Sequence, residues 1–431
     1  MKTNLLIIGS GPGGYRAAGY AARNGLSVVV AERDNAGGTC LNAGCIPTKC
    51  LAHDASVTNS DFTLAMERKA LVTQQLRSGV EQLLSAPGIT LVKGQAVFAD
   101  AHTVTVGDTT VEADNIIIAT GSESRMPPVT GIDNPRVITS TEALQLQSLP
   151  ESMVIVGAGV IGMEFASILA RFGTKVTVIE YLKECLPIFD KDIAKRLRKN
   201  IEKQGVTFYM DSAVSEITDD EVVFKANKSG AETRLSCANA PVLIATGRKP
   251  SVEGLNLEAA GVEYDARGIR TDDSMRTSQP HIYAIGDVTG KQMLAHAATA
   301  MGIRAVNTIL GKSDRIRLDI MPSAVFTYPE AATVGLNEDT CKQLGRPCKC
   351  LKGYYRANGK ALAIAEPEGM VKITADADGT IIGCTAYGAH SADMVQEIAA
   401  LMNRNSTTDD LASIIHIHPT LSEILQDMCI G

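Results

Sequence analysis

The 431-residue sequence has no tryptophan, and aromatic residues make up only 4% of it. Its interior must therefore be aliphatic. Histidine is scarce too, at seven, which leaves few positions for a histidine base or metal ligand. No apolar run reaches the ~20 residues that a membrane-crossing helix needs, so no membrane partner is expected. There is no basic tract, and a net charge of −7 argues against a nucleic-acid partner. The opening "MKTNLLIIGSGPGG" has an apolar stretch too short for a secretory signal, and glycines interrupt it at once. The expectation is a cytoplasmic protein, or a mature one without its leader. No segment is of low complexity.

The rest of the composition is that of a soluble globular protein, 45% hydrophobic and 21% charged. The length predicts roughly two to four domains. Ten cysteines in a chain of cytosolic character are expected to be mostly reduced and structural. A close pair in such a chain is more often catalytic or metal-binding than a static staple.

An internal repeat organises the sequence. "NLLIIGSGPGGYRAAGYAARNGLSVVVAERD" (4–34) reads strand, tight turn, helix, strand, with Gly9, Gly11 and Gly14 in G-x-G-x-x-G spacing. "SMVIVGAGVIGMEFASILARFGTKVTVIEYL" (152–182) repeats the plan with Gly157, Gly159 and Gly162, each offset by 148. The second strand of each copy ends on an acid, Glu32 and Glu180, again 148 apart. A lone glycine fingerprint could be a plain turn. Here each copy has its strand–turn–helix–strand setting and its acid, which points to two dinucleotide sites. The glycines admit a pyrophosphate to the backbone, the helix N-terminus faces it, and the acid can hold a ribose 2′-hydroxyl.

Two further runs echo one another. "NIIIATG" (115–121) and "PVLIATGRKP" (241–250) are near-continuous aliphatic segments of the kind buried in parallel sheets. They place Thr120, Gly121 and Gly247 as further candidates for cofactor contact. A third run, "HIYAIGDVTG" (281–290), ends in Gly-Asp and precedes a helical pattern, "MLAHAATAMGIRAVNTIL". The expected architecture is α/β: two Rossmann-like dinucleotide-binding domains plus a C-terminal α+β domain. Residues 1–145 would form the first, and 146–272 the second after the polar junction "SLPESM". Residues 273–318 would return to complete the first. Residues 319–431 differ in texture, with alternating stretches ("GMVKITAD", "TIIGCTAYG") that read as antiparallel strands and a helical stretch, "SADMVQEIAALMNRN".

"GGTCLNAGCIPTK" (37–49) places Cys40 and Cys45 five positions apart, close to the first fingerprint. In a regular helix such positions lie about 140° apart around the axis. A disulfide between them needs a distorted backbone, and Gly44 and Pro47 can supply one. A metal site would need more ligands. "CKC" at 348–350 is a conceivable second pair, but C-x4-C is not a usual zinc spacing and no C-x2-C or H-x3-H accompanies it, so no metal is assigned. Inert burial stays open, but a redox pair is favoured, with Lys49 and a helix N-terminus available to stabilise a thiolate. A cycling pair needs a base. His418 in "IIHIHPTLSEIL" (414–425), with Glu423 five residues on, has the form of a carboxylate-oriented histidine or, equally, of a helix cap.

In this order, "GGTCLNAGCIPTK", the two fingerprints, "YAIGDVTG", "MPSAVFTYPEAATVG" and "HIHPTLSE" resemble the pyridine-nucleotide disulfide oxidoreductases along essentially the whole chain. The resemblance implies a homodimer that uses FAD and NAD. It assigns Gly9, Gly11, Gly14 and Glu32 to the ADP part of FAD, Asp287 to the ribitol side, and Gly157, Gly159, Gly162 and Glu180 to NAD. Cys45 would lie against the flavin as the charge-transfer thiolate, and Cys40 would meet substrate. Lys49 would sit near flavin N5, paired with Glu164. His418, oriented by Glu423, would come from the other subunit. The implied reaction oxidises a dihydrolipoyl group: His418 takes a thiol proton, the thiolate attacks Cys40, and electrons pass from Cys45 through FAD to NAD. The partner would be a lipoyl-bearing protein of a 2-oxoacid dehydrogenase complex or of the glycine cleavage system. Glu180, with no arginine pair following it, favours NAD over NADP.

Three departures from the family pattern bear on partner choice: an abbreviated stretch at 53–75, the abrupt ending "SEILQDMCIG", and "HAATAMG" without the expected acidic and lysine residues. Alternatives on the same scaffold are another disulfide or metal-ion reductase. A noncatalytic flavoprotein sensor or scaffold is an alternative of a different class.

Overall fold

The duplicated segments fold as duplicated sheets. The computed structural model describes residues 1–57 and 61–430. Residues 58–60 of the abbreviated stretch, and the terminal residue of "SEILQDMCIG", lie outside them. The chain divides into two units, one formed by 1–50, 64–125 and 247–318, the other by 51–63, 126–246 and 319–431. Among the described residues no helix is long and apolar enough to cross a membrane.

In the first unit, parallel strands run in the order Ile89–Lys93, Val28–Glu32, Lys2–Ile8, Thr109–Ile118, with Ile282–Ala284 on the far side of Thr109–Ile118. The start of Thr109–Ile118 also leads antiparallel into Thr103–Val106 and Ala96–Phe98. The central strands are buried on both faces, which is why they read as unbroken aliphatic runs. Leu6, Ile8, Val29, Ile116, Ile118 and Ile282 share one core there. A Cβ on Gly302 would lie 3.0 Å from the Gly13 carbonyl oxygen, so glycine there lets helix Ala295–Ile309 close onto helix Pro12–Arg23.

The second unit repeats the order with Thr207–Tyr209, Lys175–Ile179, Ser152–Val156, Val242–Ile244 and Val137–Ile138, all parallel. A separate antiparallel ribbon, Ser212–Ile217, Glu221–Ala226 and Glu232–Ser236, accompanies it. The C-terminal residues form an antiparallel sheet in the order Ser323–Val325, Ala331–Gly335, Ile381–Tyr387, Met370–Ala375, Lys349–Tyr354. The strands and helix expected from the alternating and helical stretches are present, the helix as Ser391–Met402. The fold is thus α/β with two Rossmann-like sheets and a C-terminal α+β portion.

Within the second unit, Lys372 on Met370–Ala375 is buried, its side chain only 5% exposed. Its ammonium donates to Asp190, 2.6 Å away and 2% exposed, and to Glu338 at 3.0 Å. Burial opposes the charge on Lys372, but the two carboxylates outweigh it and its pKa is raised. Replacing Lys372 with Met strands the Asp190 carboxylate. We expect a loss of about 3–5 kcal/mol, read as a lower apparent thermal midpoint. The same site sets an acid-pH signature. Hydrogen bonds from Lys342 and Lys372 bring Glu338 from an ordinary 4.5 to about 2. A depressed carboxylate contributes stability that is present above its ordinary value and lost as pH falls toward the lowered one. Denaturation midpoints of wild type and Glu338→Gln should therefore differ above pH 4.5 and converge toward pH 2.

Candidate active site

The fingerprint turns show which glycines serve the protein and which serve something else. Gly9 has φ +103, and a Cβ there would lie 2.4 Å from the Ala119 oxygen; one on Gly14 would lie 1.9 Å from the Gly9 oxygen. Gly157 (φ +107) and Gly162 repeat this against Ala245 and Gly157, at 2.5 and 1.9 Å. These four are required by the backbone. Gly11 and Gly159 differ: each has φ in the ordinary range, at −65 and −73, and a Cβ would meet no protein atom within 4 Å. Each opens its helix, Pro12–Arg23 or Val160–Phe172. Open space before a helix N-terminus suits a pyrophosphate, so the residues present fit two dinucleotides.

The acids brace these turns in the same way. Glu32 accepts the Ser10 N–H at 2.9 Å, the Ser10 hydroxyl at 2.6 Å and the Asp34 N–H at 2.8 Å. Glu180 accepts the N–H of Ala158, in a short contact, and that of Leu182 at 2.7 Å. Ser10 and Ala158, and Asp34 and Leu182, are again 148 apart. Each carboxylate keeps lone pairs for a ribose.

A simple pair of variants separates the two glycine roles. Gly159→Ala should cost the fold no more than about 1 kcal/mol, the N-cap difference between glycine and alanine. It should raise the KM for the pyridine nucleotide by on the order of tenfold. Gly162→Ala should instead destabilise the protein itself. Thermal midpoints beside nucleotide titrations check both.

The cysteine segment is fastened to the first turn. The Gly37 N–H donates to the Ser10 carbonyl at 3.0 Å, and a Cβ on Gly38 would lie 2.7 Å from the Gly11 Cα. Cys40 lies in the short helix Gly38–Ala43 and Cys45 opens the next, Cys45–Ser56. Gly44, at φ −154 and ψ −115, breaks the helix between them. This distortion brings the two thiols into hydrogen-bond contact. That hydrogen bond, then burial, raises the pKa of Cys40, while Lys49, one turn after Cys45, opposes the rise. Cys45 sits where a helix N-terminus stabilises negative charge. The ten cysteines are all thiols in the structure. Among the described residues no three His, Cys, Asp or Glu side chains are grouped to hold a metal ion.

Sequence reasoning missed two neighbours of this site. Ser122–Ser124 and Arg248–Pro250, the continuations of the two Ala-Thr-Gly runs, pair antiparallel. Arg248 donates through Nε to the Ser122 hydroxyl at 2.7 Å and through Nη2 to the Ser122 carbonyl at 2.5 Å. The Ser122 hydroxyl donates to Asp287 at 2.5 Å. Burial pushes Asp287 up and Arg248 down, and the charges of Asp287 and then Cys45 act on Arg248 in the opposite sense. The candidates Thr120, Gly121 and Gly247 lie at this junction. The Thr120 hydroxyl donates to the Ser251 carbonyl at 2.7 Å, Gly121 accepts from the Ser251 N–H, and Gly247 from the Arg125 N–H.

In the second unit, Glu164 is 3% exposed and accepts the Phe326 N–H at 2.9 Å. His418 is open to solvent, 80% exposed, with Nδ1 2.9 Å from Glu423 Oε1. The other carboxylate oxygen accepts the Thr420 N–H at 2.8 Å. These two bonds, Thr420 first, hold the Glu423 carboxyl below its usual range. An ionised carboxylate only accepts, so the His418 Nδ1 carries the proton and Nε2 keeps a lone pair for a substrate proton. Ile415 and Ile417, 94% and 79% exposed, precede this histidine as an uncovered apolar surface.

Residues 3–302 match the family model "Pyridine nucleotide-disulphide oxidoreductase", and 321–429 match its dimerisation domain. The chain belongs to this family. Dihydrolipoyl dehydrogenase 3 of Haloarcula marismortui is 37% identical, covering 99% of this chain and 95% of that protein. The dihydrolipoyl dehydrogenase of Bacillus subtilis is 37% identical, over 98% and 97%. Among solved structures, the HOCl-induced flavoprotein disulfide reductase RclA of Escherichia coli matches with a TM-score of 0.91 at 31% identity, covering 99% of both chains. RclA has also been solved as a Cu(II) complex. The alignment to the Haloarcula enzyme runs over 455 positions, more than this family member has residues, so that relative carries segments this chain lacks.

Proposed function

We propose that this flavoprotein oxidises the dihydrolipoyl group of a lipoyl-bearing protein, of a 2-oxoacid dehydrogenase complex or the glycine cleavage system, with NAD as acceptor. The supporting observation is the Cys40–Cys45 thiol contact, made across a helix break and tied to a dinucleotide turn. Relatives named dihydrolipoyl dehydrogenase at 37–38% identity over nearly the whole chain support the substrate. Glu180 at the second turn supports NAD, since a carboxylate repels a 2′-phosphate.

In the working homodimer, His418 of the partner subunit removes a proton from one substrate thiol through Nε2, while Glu423 fixes the tautomer. The substrate thiolate attacks Cys40 of the oxidised pair, and Cys45 leaves as thiolate. The second substrate thiol displaces Cys40 and closes the lipoyl disulfide. Bound FAD supplies the route by which the electron pair reaches NAD. Lys49 and Glu164 would tune the flavin's electronics by their charges, and Asp287, held by the Arg248–Ser122–Asp287 chain, would bind the ribitol. The exposed Ile415 and Ile417 favour a subunit contact beside His418.

A second reading, a reductase of small disulfides or metal ions, is favoured by the end-to-end match to RclA. Steady-state assays of the FAD-loaded protein test the choice. We expect dihydrolipoamide with NAD⁺ to outpace glutathione disulfide with NADPH and Cu(II) with NADH. Faster NADH oxidation with Cu(II) than NAD⁺ reduction with dihydrolipoamide would overturn the lipoyl reading in favour of the second.

A further inference from the structure

The cysteines outside the fingerprint site include a second pair. Cys341 lies in helix Glu338–Leu344 and is fully buried. Cys348 directly precedes strand Lys349–Tyr354 and is half-buried. Their thiols hydrogen-bond one another. The intervening turn is well anchored. The helix ends at Gly345 with φ 64, and the Arg346 N–H returns to the Cys341 carbonyl at 2.9 Å. The Arg346 guanidinium grips Asp376 through both carboxylate oxygens, Nε to Oδ1 at 3.0 Å. Lys349 is already in register with Ala375. With both ends of the turn held, the two thiols are kept near one another, as closing a disulfide requires.

We propose that Cys341 and Cys348 form a second dithiol–disulfide couple, which reacts with low-molecular-weight disulfides independently of Cys40 and Cys45. Exposure sets the order of events. The Cys348 thiolate attacks one sulfur of the small disulfide; that S–S bond breaks, and one small thiolate leaves and takes a proton from water. Cys341 then gives up its proton to solvent and attacks the Cys348 sulfur of the mixed disulfide. The Cys341–Cys348 bond forms as the second small thiol departs. Two protein thiols are oxidised and one small disulfide is reduced to two thiols. Burial, and then the hydrogen bond to Cys348, push the Cys341 thiol up to about 11, against the Arg346 charge, which suits a group that waits for the mixed disulfide. Cys350, two residues on, has Lys372 and Glu338 among its charged neighbours.

Peptide mapping of the FAD-loaded, full-length protein tests this without any substitution. The protein is treated with glutathione disulfide, free thiols are alkylated, and trypsin cuts after Lys342 but not before Pro347. The expected product is peptide 318–342 joined to peptide 343–349, released by dithiothreitol. In Cys341→Ala, glutathione should remain on Cys348; in Cys348→Ser, Cys341 should carry none. Recovery of both cysteines alkylated, under conditions that oxidise Cys40 and Cys45, would overturn the proposal. So would linkage of peptide 343–349 to peptide 350–352 in place of 318–342, or glutathione on Cys341 of Cys348→Ser.

Discussion

Cys45→Ser is expected to abolish dithiol oxidation, lowering kcat by a factor on the order of 10⁴ or more, while the protein remains folded and yellow. The loss is this large because the residue is a reagent and not a helper. A hydroxyl cannot close a disulfide with Cys40, so no other group can carry the exchange. Cys40→Ser should be equally dead, for the same reason. The two differ in the flavin spectrum. With Cys40 replaced, the reduced Cys45 stays as a lone thiolate and should give a long-wavelength charge-transfer band; with Cys45 replaced it should not. The band in the Cys45 variant alone would reverse the assigned roles. Folding is safe in both, since neither thiol is fully buried.

His418→Gln is expected to lower kcat by about 10²–10⁴, the usual contribution of a positioned base, without loss of FAD. Its side chain is 80% exposed, so stability should hardly change. Unaltered turnover would remove the residue from the mechanism. The carboxylate behind it has a defined pH range. Glu423 is held low by the Thr420 N–H and then by His418. A depressed carboxylate stays charged above its ordinary value and is neutralised only as pH falls past the lowered one. Turnover lost between neutral pH and that point should therefore not follow Glu423, and Glu423→Gln should leave the position of the acid limb there unchanged while lowering kcat.

The fingerprints were legible because a backbone that needs left-handed φ at Gly9 and Gly157 has few residues to choose from. The same holds for the strand order: aliphatic runs bounded by such turns specify buried parallel strands whatever surrounds them. The contact between Cys40 and Cys45 was half legible. Gly44 marked a break, but only the structure gives the angles that bring two thiols five positions apart together.

What stayed hidden was long-range and polar. Ser122 and Arg248 are 126 residues apart, and Ser122 and Asp287 are 165 apart. The strands that join them, Ser122–Ser124 and Arg248–Pro250, are three residues long and carry no periodicity to read. Lys372 is hidden likewise. In "GMVKITAD" it looks like a solvent-facing lysine on an alternating strand, yet its partner Asp190 lies 182 residues away and both are buried. Charge on a strand signals exposure only when no distant carboxylate is available to meet it.

The most direct measurement of the central claim follows the thiols themselves. The oxidised, FAD-loaded protein is mixed without oxygen with one equivalent of dihydrolipoamide, quenched with an alkylating agent before and after NAD⁺ is added, and mapped at Cys40 and Cys45. The expected result is alkylation of both cysteines before NAD⁺ and its loss once NADH has formed. A pair that keeps one redox state throughout, whether or not NADH appears, would contradict the relay.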